Sequence, residues 1–177
     1  MGPRWPRLDS VGDGPLKWKK SRVLMRFDVG EQLREPVGTI HTYNLEERMG
    51  LGEGDEFPVA GRLNFIRTSQ GLLITADLEA TMEASCNCCL DSFTLSVPFH
   101  MEEEFLPTSD PWKGGRLATP EDTFTIDAHQ VLDLTEALRQ YILLQMPMKQ
   151  ICRPSCLGLC PHCGHNLNLG PHSCPRD

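Results

Sequence analysis

Eight cysteines in two groups constrain this chain more than any other feature of its sequence. Cys86, Cys88 and Cys89 lie mid-chain, and Cys152, Cys156, Cys160, Cys163 and Cys174 lie near the C-terminus. Residues 1–24 are rich in proline, glycine and basic side chains and lack the apolar stretch of a secretory signal. A reducing compartment is therefore expected, and in such a compartment close-spaced cysteines bind metal more often than they form disulfides. With 177 residues the chain can bury a core without disulfides. No apolar run approaches the roughly 18 residues of a membrane span.

The sharpest motif is Gly158-Leu-Cys-Pro-His-Cys-Gly164. Two cysteines separated by two residues can place both sulfurs on one zinc ion at about 2.3 Å. Pro161 presets the backbone, and Gly164 tolerates the positive φ that such a turn demands. Cys160, Cys163, His172 and Cys174 complete a tetrahedral set of three thiolates and one imidazole, with His162 and His165 as competing donors. Cys86 and Cys89 repeat the two-residue spacing between two expected strands. Cys152 and Cys156 can join them to make a four-thiolate site. Alternatively, Cys152 and Cys156 pair locally with Cys160 and Cys163, leaving Cys86 and Cys89 as small buried hydrophobes. In the two-site reading both zinc ions are closed off by four protein ligands, hence structural rather than catalytic.

The rest of the chain reads as α+β: a mainly antiparallel sheet curled towards a barrel, one principal helix and a zinc-stapled cysteine-rich segment. Three parts are expected: a disordered extension over residues 1–24, an α+β domain over 25–150 and a zinc-binding segment over 151–177. A short helical turn ends at Pro36. Strands are expected over 37–45, 57–68, 72–84, 92–105 and 123–126, with a turn at Ser69-Gln-Gly71 and loops over 46–56 and 107–122. Asp133, with Glu136 three residues on, suggests a capping box opening a helix. Leu134, Leu138, Tyr141 and Ile142 give that helix its apolar stripe, and Pro147 ends it.

The net charge of −7 is unevenly spread. Residues 1–26 hold seven basic and two acidic side chains, a net +5, so the remainder carries −12. An acidic body favours basic partners, while a basic arm suits a polyanion. No phosphate loop, nucleophile elbow or His-Glu-x-x-His helix is present. Glu102, Glu103 and Glu104 alternate faces if they lie on a strand, so they do not converge on a substrate. His41, His100 and His129 read as isolated filler. A thiol redox enzyme or sensor built on Cys86 and Cys89 is the alternative from another class. Glu79, Glu83 and Asp91 nearby oppose the electropositive setting that it needs.

The chain resembles the YceD family, the large ribosomal RNA subunit accumulation proteins. The residues that carry the likeness are Met25-Arg-Phe-Asp-Val, Leu33-Arg-Glu-Pro-Val-Gly38, Cys86-Asn-Cys-Cys-Leu-Asp-Ser-Phe93, Ile126-Asp127, Leu144-Gln-Met-Pro-Met148 and Cys160-Pro-His-Cys-Gly-His-Asn-Leu-Asn168. Cys88 stands where a basic residue is common in the family, and His172-Ser-Cys174 where two cysteines one residue apart are frequent. The resemblance implies a cytoplasmic, non-catalytic factor that supports accumulation or processing of large-subunit ribosomal RNA and assembly of the large subunit. With the acidic body, it points to a basic large-subunit ribosomal protein or a pre-ribosomal particle as partner. Direct RNA contact through residues 1–24 and the metal knuckle is a third reading.

Overall fold

The computed structural model describes residues 25–51, 56–170 and 173–174. The expectations for the 1–24 extension and for His172 lie outside these residues. Seven strands form one sheet: β1 (Arg26–Asp28), β2 (Ile40–Met49), β3 (Phe57–Arg67), β4 (Leu72–Ser85), β5 (Ser92–Pro107), β6 (Thr125–Ile126) and β7 (Val131–Asp133). Their order across the sheet is β1-β7-β6-β5-β4-β3-β2. One helix, α1 (Thr135–Gln145), follows β7, and a 3₁₀ turn over Gln32–Arg34 links β1 to β2.

Strands β3, β4 and β5 fall where the alternation predicts, because each carries inward apolar residues at period two. Phe57, Val59, Leu63 and Phe65 face in from β3, and Val97, Phe99, Met101 and Phe105 from β5. The sheet is mixed rather than purely antiparallel: β5 and β6 run parallel. The long loop after Pro107 brings the chain back to the same end of the sheet, and that return reverses the sense of the pairing. Strands β1 and β7 lie outside the expected set, being three residues long and too short to show a period. β2 continues through Glu46, Glu47 and Arg48, which Gly50, Gly52 and Gly54 suggested belong to a loop, since one of its sides is open to water.

The sheet curls into a half-barrel. Laid flat, β1 and β3 would lie five strand spacings apart, roughly 24 Å at about 4.8 Å each. The rings of Phe27 and Phe65 nonetheless meet edge to face at 5.2 Å. Gly61 serves the curl, because a Cβ there would sit 2.2 Å from the Asp77 carbonyl oxygen. The concave side holds the core, and α1 closes it with Ala137, Leu138 and Ile142.

The helix begins one residue later than the capping box implied, with Leu134 rather than Asp133 at its N-cap. Asp133 lies in β7, where its Oδ1 accepts from the Thr135 amide at 2.9 Å and its Oδ2 accepts from Arg26 Nε at 3.0 Å. Glu136 turns instead to Gln140 and Arg139. Met146, extended before Pro147, ends the helix as expected. Glu102 and Glu104 face solvent while Glu103 turns inward and accepts from the Tyr141 hydroxyl at 2.9 Å. Two of the histidines read as isolated have acidic partners: His41 lies 2.6 Å from Glu35 and His100 2.8 Å from Asp77.

Among the described residues, one charged side chain is buried, that of Arg67 at 7% exposure. Its guanidinium donates to the carbonyls of Leu33 at 2.9 Å, Gly71 at 2.8 Å and Thr68. The 3₁₀ turn and the β3–β4 hairpin are thereby fastened together.

Candidate metal centre

The β4–β5 hairpin reaches beyond the rest of the sheet. β3 pairs with β4 only as far as Ala80, whereas Thr81–Ser85 pair with Ser92–Ser96 alone. A two-stranded ribbon is marginal in water by itself. Its tip, residues 86–91, carries the first pair of cysteines. After α1 the chain passes beneath this tip, where the Asn87 amide donates to the Gln150 carbonyl at 2.8 Å. Cys152 and Cys156 are thereby delivered to Cys86 and Cys89.

All four sulfurs lie within 4.8 Å of one another. Cys86 Sγ is 3.8 Å from Cys156 Sγ, and Cys89 Sγ is 3.8 Å from Cys152 Sγ. Sulfurs bound to one zinc ion at about 2.3 Å sit about 3.8 Å apart along each tetrahedral edge. Two of the six edges have this length and the others lie within 4.8 Å, so the residues fit a four-thiolate metal ion. None of the cysteines is in a disulfide. The local alternative, with Cys152 and Cys156 joined to Cys160 and Cys163, is not the arrangement adopted.

Without a cation, four thiols this close cannot all ionise. The amides of Cys152, Cys89 and Cys88 point at Cys86 and, against the opposing effect of burial, hold its thiol down at about 6. At Cys89 the Asp91 amide pulls downward, but burial and the other thiols prevail and push it up to about 12. The Asn168 side-chain amide lowers Cys156, and burial raises Cys152. A divalent cation bound there would take the place of the shared protons. The low Cys86 thiol comes from backbone amides, a source that the acidic sequence neighbours Glu79, Glu83 and Asp91 did not reveal.

The second group joins Cys160, Cys163 and Cys174, whose sulfurs also lie within 4.8 Å of one another. The neighbouring thiols, Cys163 first, and burial push Cys174 up to about 11. Neither His162 nor His165 belongs to this group among the described residues.

The two knuckles share one backbone pattern. The Cys86 amide donates to the Asp91 carbonyl and the Leu90 amide returns to the Cys86 carbonyl, both at 2.9 Å. In the second knuckle the Cys160 amide donates to His165 at 2.8 Å and the Gly164 amide to Cys160 at 2.9 Å. Gly164 has a φ of 72°, and Leu90, in the equivalent place, has 63°. A leucine there costs about 1–2 kcal/mol, whereas glycine adopts this region freely at some entropic cost. Leu90 is 67% exposed, so its side chain contributes little burial. Leu90→Gly is expected to raise stability by up to about 1 kcal/mol, read as a higher urea midpoint at unchanged m-value. A lower midpoint would show that the side chain is needed.

Asparagines that spacing alone did not single out tie the two centres together. Asn168 donates to Cys156 Sγ at 3.5 Å and accepts from the Leu157 amide at 3.0 Å. Asn166 donates to Asp91 at 2.6 Å, linking the C-terminal knuckle to the hairpin tip. Partners that orient metal ligands in this way tune both affinity and geometry. Cys88 stays outside both sets, with its carbonyl packed against Gly158.

Comparison with known proteins adds the family. The family described as large ribosomal RNA subunit accumulation protein YceD matches residues 74–177, from β4 through both knuckles. Uncharacterized proteins of Mycobacterium bovis and Mycobacterium tuberculosis are each 35% identical over 108 residues, covering 58% of this chain and 48% of their own. One from Mycobacterium leprae is 24% identical over 114 residues, covering 64% and 51%. The chain thus spans about half the length of the curated relatives it matches. No solved structure matches. No helix among the described residues is long and apolar enough to cross a membrane. With more than half its length matched, and the match running through both cysteine groups, the chain belongs to the YceD family of large ribosomal RNA subunit accumulation proteins.

Proposed function

We propose that this protein supports accumulation of large-subunit ribosomal RNA and assembly of the large subunit in the cytoplasm as a non-catalytic factor, its fold stapled by two structural zinc ions. One zinc is held by Cys86, Cys89, Cys152 and Cys156. The other is held by Cys160, Cys163 and Cys174, with His172, two residues before Cys174, as the fourth ligand. The partner is a basic large-subunit ribosomal protein or a pre-ribosomal particle that carries one.

The observation that carries this reading is the match to an accumulation-factor family, which runs through both cysteine groups. The chemistry of those groups supports it: four ligands around one zinc leave no position for water or substrate. The strongly negative body supports a basic partner over a polyanion. A thiol redox enzyme needs an accessible reactive thiol, whereas Cys86 and Cys89 are buried at 0% and 3% exposure.

Depletion of the protein is expected to lower large-subunit ribosomal RNA relative to small-subunit RNA. The tagged protein is expected to recover a basic large-subunit protein or a large-subunit precursor. That recovery should weaken as salt is raised, because exposed charges are screened over a Debye length of about 8 Å at physiological ionic strength. Recovery of naked ribosomal RNA alone, lost on removing residues 1–24, would favour direct RNA binding. Catalytic thiol turnover by the zinc-loaded protein would favour the redox reading.

A further inference from the structure

We propose that the open edge of β2 takes up an extended basic segment of a protein partner as an added strand, beside an acidic sheet face that recognises its lysines and arginines. This names a surface for the basic partner proposed above and rests on that reading.

The first observation is the edge. β2 ends the sheet, and its ten residues pair with β3 in unbroken register. The Arg67 amide donates to the Thr39 carbonyl, and antiparallel bonding alternates from there. The backbone groups of Ile40, Thr42, Asn44, Glu46 and Arg48 therefore point away from β3. None of them meets another backbone group among the described residues. Proteins usually blunt such edges with proline, a bulge or charge. From Ile40 to Leu45, β2 has no proline, no bulge and no Asp, Glu, Lys or Arg. Such a row is a template for strand addition, where main-chain bonds give affinity and side chains give specificity.

The second observation is charge. Beside Arg48 and Arg62, the outer face of β2–β5 exposes five glutamates, Glu46, Glu79, Glu83, Glu102 and Glu104. None has a cationic partner among the described residues. Hydroxyls engage three of them instead: Ser96 donates to Glu79, Thr94 to Glu83 at 3.1 Å and Thr68 to Glu104 at 2.7 Å. A hydroxyl satisfies lone pairs without cancelling charge, so the face keeps its negative field. An added strand places every second side chain on this face, about 4.8 Å from β2. A lysine or arginine at those positions meets Glu46 beside it, while the glutamates of β4 and β5 act from about 14 Å and beyond. A second copy of the chain would bring two negative faces edge to edge, and nucleic acid would meet the same repulsion.

The probe is a ten-residue peptide alternating lysine and valine, titrated against the full zinc-loaded chain by fluorescence anisotropy. Its twin carries an N-methyl group on every second amide, which keeps the charge and removes the ladder. Affinity is expected to fall about tenfold for the twin, the worth of one or two hydrogen bonds. It should fall similarly for the Asn44→Pro protein. The Asn44 amide faces outward, so proline there removes no internal ladder bond. Thr42→Pro tests the same edge if Asn44→Pro lowers the melting temperature. Glu46→Lys with Glu79→Lys should also weaken binding. The proposal is overturned if the twin binds equally, if neither proline variant matters, if a glutamate–valine peptide binds as well, or if the chain is a dimer through this edge. In depleted cells Asn44→Pro should fail to restore large-subunit RNA, and full restoration would overturn the edge. Absence of any RNA phenotype on depletion would instead overturn the function and leave the peptide result standing.

Discussion

Cys89→Ser is expected to destabilise the whole domain and not only the tail. Cys89 is 3% exposed at the tip of a ribbon that β3 does not flank, and its sulfur meets Cys152, 63 residues later. A clip across so long a loop removes much of the closure entropy that folding must otherwise overcome. Structural zinc contributes an apparent 10–16 kcal/mol or so in small domains, while whole domains are stable by only about 5–15 kcal/mol. Three remaining ligands retain part of that. A loss near 5 kcal/mol is the expectation, which lowers Tm by roughly 10–20 °C for a chain of this size. Chelation of the wild-type protein should act in the same direction. An unchanged Tm with two metals still bound would sink the assignment of Cys89.

Cys163→Ser should behave differently. Its knuckle closes a short local loop, so the sheet is expected to keep its hydrogen-exchange protection while residues beyond about Cys156 lose theirs. A small fall in global stability should accompany this, because Asn168 and Asn166 reach from the tail to Cys156 and Asp91. Elemental analysis should read two zinc ions per wild-type chain and fewer than two in each variant. One ion per wild-type chain, lost in Cys163→Ser and kept in Cys89→Ser, would refute the two-site arrangement.

How far the sequence discloses this arrangement depends on the range of the forces involved. The hairpin β4–β5 and strand β3 were legible because burial on one face imposes period two over ten or more residues. The first cysteine set was legible as a pairing to be chosen, since Cys152 and Cys156 have the right chemistry for either neighbour. Only the third dimension selects Cys86 and Cys89, through the Asn87–Gln150 bond that seats the chain under the hairpin tip. Strands β1 and β7 were hidden because three residues give no period, and their pairing joins positions more than a hundred residues apart. The parallel pair β5–β6 was hidden for a similar reason: the intervening loop carries no trace of its return direction. The common knuckle pattern was half visible. Gly164 announces its positive φ by its identity, whereas Leu90 adopts the same φ because the hydrogen bonds on either side of it leave no alternative.

Arg67 shows the opposite limit, a charged residue at an inward position of a strand read correctly. Alternation from Phe57 through Phe65 points residue 67 inward, and nothing local says why an arginine should stand there. The fold supplies the reason, since three carbonyls from two segments converge on it, of which that of Gly71 also accepts from the Thr68 amide at 3.1 Å. Burial lowers the guanidinium's pKa, although it remains charged at neutral pH. Arg67→Met keeps most of the stem and removes the donors. The Leu33 and Thr68 carbonyls lose their donor at about 1–3 kcal/mol each, while that of Gly71 keeps the Thr68 amide, and the loss is partly offset because the charge itself no longer has to be desolvated. A net loss of about 3–4 kcal/mol is expected, visible as a lower urea midpoint at constant m-value. Arg67→Lys should recover only part of it, because an ammonium cannot span carbonyls spaced for a guanidinium fork. If Arg67→Met proved neutral or stabilising, the desolvation cost would outweigh the three bonds. The half-barrel's end would then be held by its apolar contacts, with Leu33 packed into the core at 0% exposure, rather than by the clamp.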